Sequence, residues 1–176
     1  MNRLRRFGLP ALLGWLCAPV AAQSPATQTP AATPPATMQQ VMQSILFPNA
    51  NVVFAGQAND PAGFPRDARS NASTNPLTGM YGGWQAVENS GLALAESTAL
   101  LNVPARSCAN GRPVPVVETR WKDAVGELRV ASLAVATAAR ARDRERLDAA
   151  AEQLIESCGT CHRTYRMREN QCAPAR

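Results

Sequence analysis

Residues 144–167 read RERLDAAAEQLIESCGTCHRTYRM. Leu147, Ala151, Leu154, Ile155 and Cys158 recur there at helical spacing and make one apolar face, with charged residues filling the other positions. The face runs directly into Cys158-Gly159-Thr160-Cys161-His162. At about 100° per residue, Cys158, Cys161 and His162 fall within a sector of roughly 100° on a helix. Three chemically capable side chains therefore share one side of an otherwise core-forming helix.

C-x-x-C-H is the attachment signature of a c-type haem. Two thiols become thioethers to the porphyrin, and the adjacent imidazole takes one axial position on the iron. His162 is the only histidine in the chain. A thioredoxin-like dithiol normally opens a helix that follows a strand, and no strand–helix alternation is visible here. A zinc site drawn from Cys108, Cys158, Cys161 and His162 or Cys172 lacks the second C-x-x-C or H-x-x-x-H half. Haem attachment is the expectation; a zinc or dithiol interaction module is the third-ranked alternative.

Outward from this stretch, the rest of the chain also reads as helix. Apolar residues make up 45% and aromatics only 5%, which suits close-packed helices better than a β sandwich. A third helix is predicted over about 116–141, with Trp121, Val125, Leu128 and Val135 inward. It is separated from the fourth, 144–167, by the polar run Arg140–Arg146 with Asp143 as N-cap. One uninterrupted long helix is the competing prediction. A second helix spans about 80–102, with Trp84, Val87, Leu94, Leu100 and Leu101 on its apolar face and Pro104 beyond its end. The first begins near Ala36 and carries Met38, Met42 and Ile45; Pro48 is expected to kink or interrupt it. Residues 59–78 and 107–115 are turn-rich connections.

The N-terminus is a separate matter. Arg3, Arg5 and Arg6, an apolar run from Phe7 to Pro19 and the small residues before Gln23 form the pattern of a cleaved signal peptide, residues 1–22, ending near Ala22. An uncharged Pro- and Ala-rich leader, residues 23–35, is expected to be disordered. Residues 36–176 are the predicted domain. Removing 1–22 takes away three Arg and no acid, so the net charge drops from +5 to +2. No basic patch interleaved with aromatics remains, which speaks against nucleic-acid binding, and no membrane span is expected in the mature chain. Four cysteines are left, Cys108, Cys158, Cys161 and Cys172, an even number suited to an oxidising compartment.

The form Cys158-x-x-Cys161-His162-x-x-Tyr165-Arg166 at the end of the last of four helices resembles the class II c-type cytochromes, the cytochrome c′ family and its low-spin relatives. The resemblance covers about residues 36–172. It implies an all-α fold, an antiparallel four-helix bundle with one covalent haem c on the last helix. It implies His162 as proximal iron ligand and Arg166 as a basic residue near the haem; a solvated cation in the last helical turn is the plain alternative for Arg166. It also implies that the first helix decides the sixth position. High-spin members place an apolar residue there and low-spin members a methionine. Met42, in Val41-Met42-Gln43-Ser44-Ile45, is favoured over Met38, which adjoins the leader; both could instead simply fill the core.

In an up-down-up-down bundle the second and fourth helices end at one pole, so Cys108 and Cys172 are expected to form a disulfide. The expected function is electron transfer in the periplasm by a monohaem cytochrome that exchanges electrons with redox partner proteins. A thioether ligand would raise the potential and block small ligands. A five-coordinate haem binding nitric oxide or carbon monoxide is the alternative. No acid–base or nucleophilic constellation suggests an enzyme. Homodimers occur in the family, and no surface stripe here demands one.

Overall fold

The computed structural model describes residues 33–67, 75–166 and 171–172. The expected signal peptide (residues 1–22), residues 23–32 of the expected leader and the predicted last turn at Met167 lie outside the described residues. Among those described, regular structure is entirely helical, apart from one isolated antiparallel bridge between Ser107 and Pro113. The arrangement is compatible with a helical bundle.

Thr37 opens the first helix with a reciprocal cap: its Oγ accepts from the Gln40 amide, while Gln40 Oε1 accepts from the Thr37 amide. From there α1 (Met38–Val41), a π-helix (Met42–Leu46) and α2 (Phe47–Ala58) follow one another as a continuous helical rod. Pro48 was expected to kink or interrupt this helix, and the rod instead changes its winding. The Phe47 amide reaches back five residues to the Met42 carbonyl, so proline falls in the first turn of α2, where its missing N–H costs little. Asn49 Nδ2 donates to the Ile45 carbonyl at 2.7 Å and Ser44 Oγ to the Gln40 carbonyl at 2.7 Å, adding side-chain bonds to the backbone on either side of the register change.

Helix α3 (Trp84–Leu101) begins four residues later than the predicted Met80. Gly83 precedes it at φ +61, and a Cβ there would meet the Pro61 carbonyl oxygen at 2.5 Å and that of Phe64 at 2.6 Å. Only glycine fits this close approach of two backbones. Helix α4 (Thr119–Ala141) starts after a turn at Pro115–Glu118. It ends at Arg142, whose left-handed conformation (φ 53, ψ 38) lets its amide reach the Ala138 and Ala139 carbonyls. Asp143 then caps α5 (Arg144–Tyr165), accepting from the Arg146 amide at 3.0 Å. The single long helix is thereby excluded.

Helices α3 and α4 approach so closely at Gly91 that a Cβ there would lie 2.8 Å from Ala136 N and 2.9 Å from the Ser132 carbonyl oxygen. The small residues Ala131, Ser132, Ala136 and Ala139 of α4 are buried along this helix. The end of α2 lies against the start of α5: the Arg144 guanidinium donates to the carbonyls of Gly56 (2.7 Å), Asn59 (3.0 Å) and Gln57, and Gln57 Nε2 donates to Glu152 at 2.8 Å. The other ends meet as well. The Met38 amide donates to the Ser107 carbonyl beyond α3 at 2.8 Å, and Trp121 Nε1 in α4 donates to Asn102 Oδ1 at 3.1 Å.

Candidate functional site

A cavity of about 820 Å³ opens between the rod and α5, within the roughly 300–1,000 Å³ of small-molecule and cofactor sites. One wall is the last two turns of α5: Cys158, Cys161, His162, Tyr165 and Arg166. The rod supplies Met38, Met42, Leu46, Phe47 and Phe54. The floor comes from α3 and α4, through Leu94, Leu101, Trp121, Val125 and Leu128. Every haem-site residue expected from the sequence thus faces one mostly apolar space. Met38 is 6% exposed and packed into the core, while Met42 is half-buried against it. The Met38 N–H also donates a hydrogen bond to the Ser107 carbonyl, so its nearness to the expected leader does not leave it loosely fixed.

The electrostatics of the wall are those of neutral groups. Burial pushes the Cys161 thiol up to about 11, with negative charge on Cys158 adding to the effect, and burial raises Cys158 too. Such thiols are the reverse of the activated, low-pKa cysteines of dithiol oxidoreductases. A thioether carries no charge and escapes this penalty. His162 is shifted below its ordinary value, first by burial and then by the nearby Arg166 charge, which favours the neutral imidazole able to bind a metal. Arg166 itself is exposed, at the edge of the cavity.

Cys108 and Cys172 are joined as a disulfide, Cα atoms 6.2 Å apart, and line the same cavity. That pairing leaves Cys158 and Cys161 as the free thiols among the described residues. It takes two sulfurs out of any four-ligand zinc site. Among the described residues no group of three or more His, Cys, Asp and Glu side chains is placed to hold a metal ion. A haem iron held by one imidazole and one thioether does not call for such a group.

Two features were not foreseen: the polar partner of Tyr165, whose packing in the core was expected, and a buried arginine. Tyr165 is buried, packs edge-to-face on Trp121 with ring centroids 5.0 Å apart, and donates its hydroxyl to Glu118 Oε2 at 3.1 Å. Burial and then Glu118 raise Tyr165 to about 12. Tyr165 lies about one turn beyond His162, but its acidic acceptor is 47 residues away in the chain. The second is Arg106, 5% exposed, donating to two backbone carbonyls.

No helix among the described residues is long and apolar enough to cross a membrane. Comparison with protein-family models, with curated proteins and with solved structures finds no match.

Proposed function

We propose that this chain is an exported monohaem c-type cytochrome that transfers electrons, with the haem held in the cavity between the rod and α5. The observation that carries this is the convergence of Cys158, Cys161, His162 and Met42 on one apolar cavity of suitable size. Cys158 and Cys161 would hold the porphyrin covalently, His162 would bind the iron from α5, and Met42 from the rod, with Met38 one turn earlier as the alternative. The bound haem supplies a one-electron iron couple. The apolar wall keeps water from the iron site, and Arg166 at the edge is placed to meet a carboxylate such as a propionate. The antiparallel up-down-up-down order belongs to the same proposal. It is supported by the end of α2 meeting the start of α5, and by the segments after α3 and α5 meeting at Cys108–Cys172. Periplasmic location and docking with other redox proteins follow as part of it.

The optical spectrum tests it. A low-spin ferric spectrum and a sharp reduced α band are expected. A high-spin spectrum that shifts with carbon monoxide would replace electron transfer by gas binding, and absence of any Soret band would remove haem altogether.

A further inference from the structure

One loop, residues 106–114, touches both sides of the cavity. It is a tight hairpin: Cys108 N donates to the Arg112 carbonyl at 2.8 Å, Val114 N to the Arg106 carbonyl at 2.9 Å, and Gly111 N to the Cys108 carbonyl at 3.0 Å. On one side it grips the start of the rod. Ser107 accepts the Met38 amide at 2.8 Å, and the Arg106 guanidinium donates to the Ala36 carbonyl. On the other side it grips the chain beyond α5. Cys108 is bonded to Cys172, Asn110 Nδ2 donates to the Gln171 carbonyl at 3.2 Å, and Cys172 N donates to the Tyr165 carbonyl at 3.0 Å.

Arg106 is costly to place there. A cation only 5% exposed, whose recorded partners among the described residues are carbonyls, gives up most of its hydration. Its second partner, the Leu100 carbonyl at 3.1 Å, lies in the last turn of α3, where unpaired carbonyls and the helix dipole favour a cation. The side chain therefore ties the end of α3 to the residues just before α1. The segment it holds, α1 with the following π-helix, carries both candidate methionines. Its opening amides, in the first turn of the rod, have no intrahelical acceptor and depend on Thr37 and Ser107.

We propose that Arg106 and the Cys108–Cys172 disulfide are positioning groups that hold the methionine-bearing rod at a fixed separation from His162 across the cavity. This rests on the haem assignment above. Arg106 and Ser107 set the rod's first turn, and the disulfide fixes the loop to the helix that bears the proximal imidazole. A methionine sulfur on the rod would thereby stay within reach of an iron held by His162. Without either tie the rod's first turns gain freedom, and the fraction of molecules with that position closed falls.

The test uses the haem-loaded protein and two readouts. In the Cys108→Ala/Cys172→Ala variant, ferrous protein is expected to bind carbon monoxide at least about tenfold more tightly than wild type, because apparent affinity scales with the open fraction. Arg106→Leu is expected to act in the same direction, with Arg106→Lys falling between it and wild type. By hydrogen exchange, amides of residues 38–46 should exchange faster in both variants; in Arg106→Leu, where no cross-link is lost, those of α3 and α4 should keep their protection, which separates a local effect from global unfolding. Unchanged protection of residues 38–46 overturns the proposal. Faster exchange there with unchanged carbon monoxide affinity overturns the positioning role and leaves the haem assignment standing. A wild-type protein without covalent haem overturns the haem assignment and, with it, the role given to these ties.

Discussion

Cys161 and His162 sit where charge is penalised, and that decides what they are suited for. A thiol pushed up to about 11 by burial is a poor nucleophile at neutral pH, and a neutral imidazole beside Arg166 is a ready ligand. At this scale the sequence was legible: residue type and spacing alone placed Cys158, Cys161 and His162 on one sector. The choice between methionines was less so, because both line the cavity and neither spacing nor burial separates a ligand from a core residue. Met42→Ala is expected to abolish the low-spin spectrum; a variant that stays low-spin, and loses that state only when Met38 is replaced as well, would move the ligand to Met38. Tyr165 gives a pH prediction. Its raised pKa means that the folded state holds the phenolic proton more tightly than the unfolded chain. Its contribution is therefore complete below about pH 10 and is lost as the pH rises toward about 12. Tyr165→Phe should show a weaker loss of stability across that window than wild type in denaturant titrations at a series of pH values.

The elements were read correctly where periodicity and caps agree, and incorrectly where backbone geometry decides. Asp143 before an acidic and apolar run is a cap signal in any sequence, and Asp143→Ala should cost about 1 kcal/mol in urea unfolding. The stop at Arg142 was inferred only from polarity, since a left-handed arginine carries none of glycine's usual signature. Pro48 predicted a break, and the π-helix absorbed it; no local rule announces a one-residue shift of the hydrogen-bond register. Gly91 lies in the interior of α3, where glycine is a weakness in propensity terms. In the structure it is where two backbones meet, so Gly91→Ala should destabilise by roughly 1–3 kcal/mol despite its better helix propensity. Equal or greater stability of that variant would show that α3 and α4 do not approach as described.

Over the whole molecule, the pairing of Cys108 with Cys172 was expected from an up-down-up-down order, in which segments after alternate helices would meet at one end. The two are 64 residues apart in sequence, and closing a loop of that length stabilises by about 4 kcal/mol in the chain-entropy account. The Cys108→Ala/Cys172→Ala variant should show a loss of that order in equilibrium unfolding. What the sequence concealed at this scale was the second job of the connection between α3 and α4. Residues 107–115 read as a turn-rich link, yet the partners of residues 106–110, namely Ala36, Met38, Gln171 and Cys172, are distant in the chain. Contacts of such separation leave no periodic trace.

Expression in a host that matures c-type cytochromes, followed by intact mass under denaturing conditions with thiol alkylation, bears most directly on the central claim. The account predicts a chain heavier by one haem, with no alkylation at Cys158 or Cys161 and two-electron reduction needed to expose Cys108 and Cys172. A chain of unmodified mass, alkylated at both Cys158 and Cys161, would contradict it.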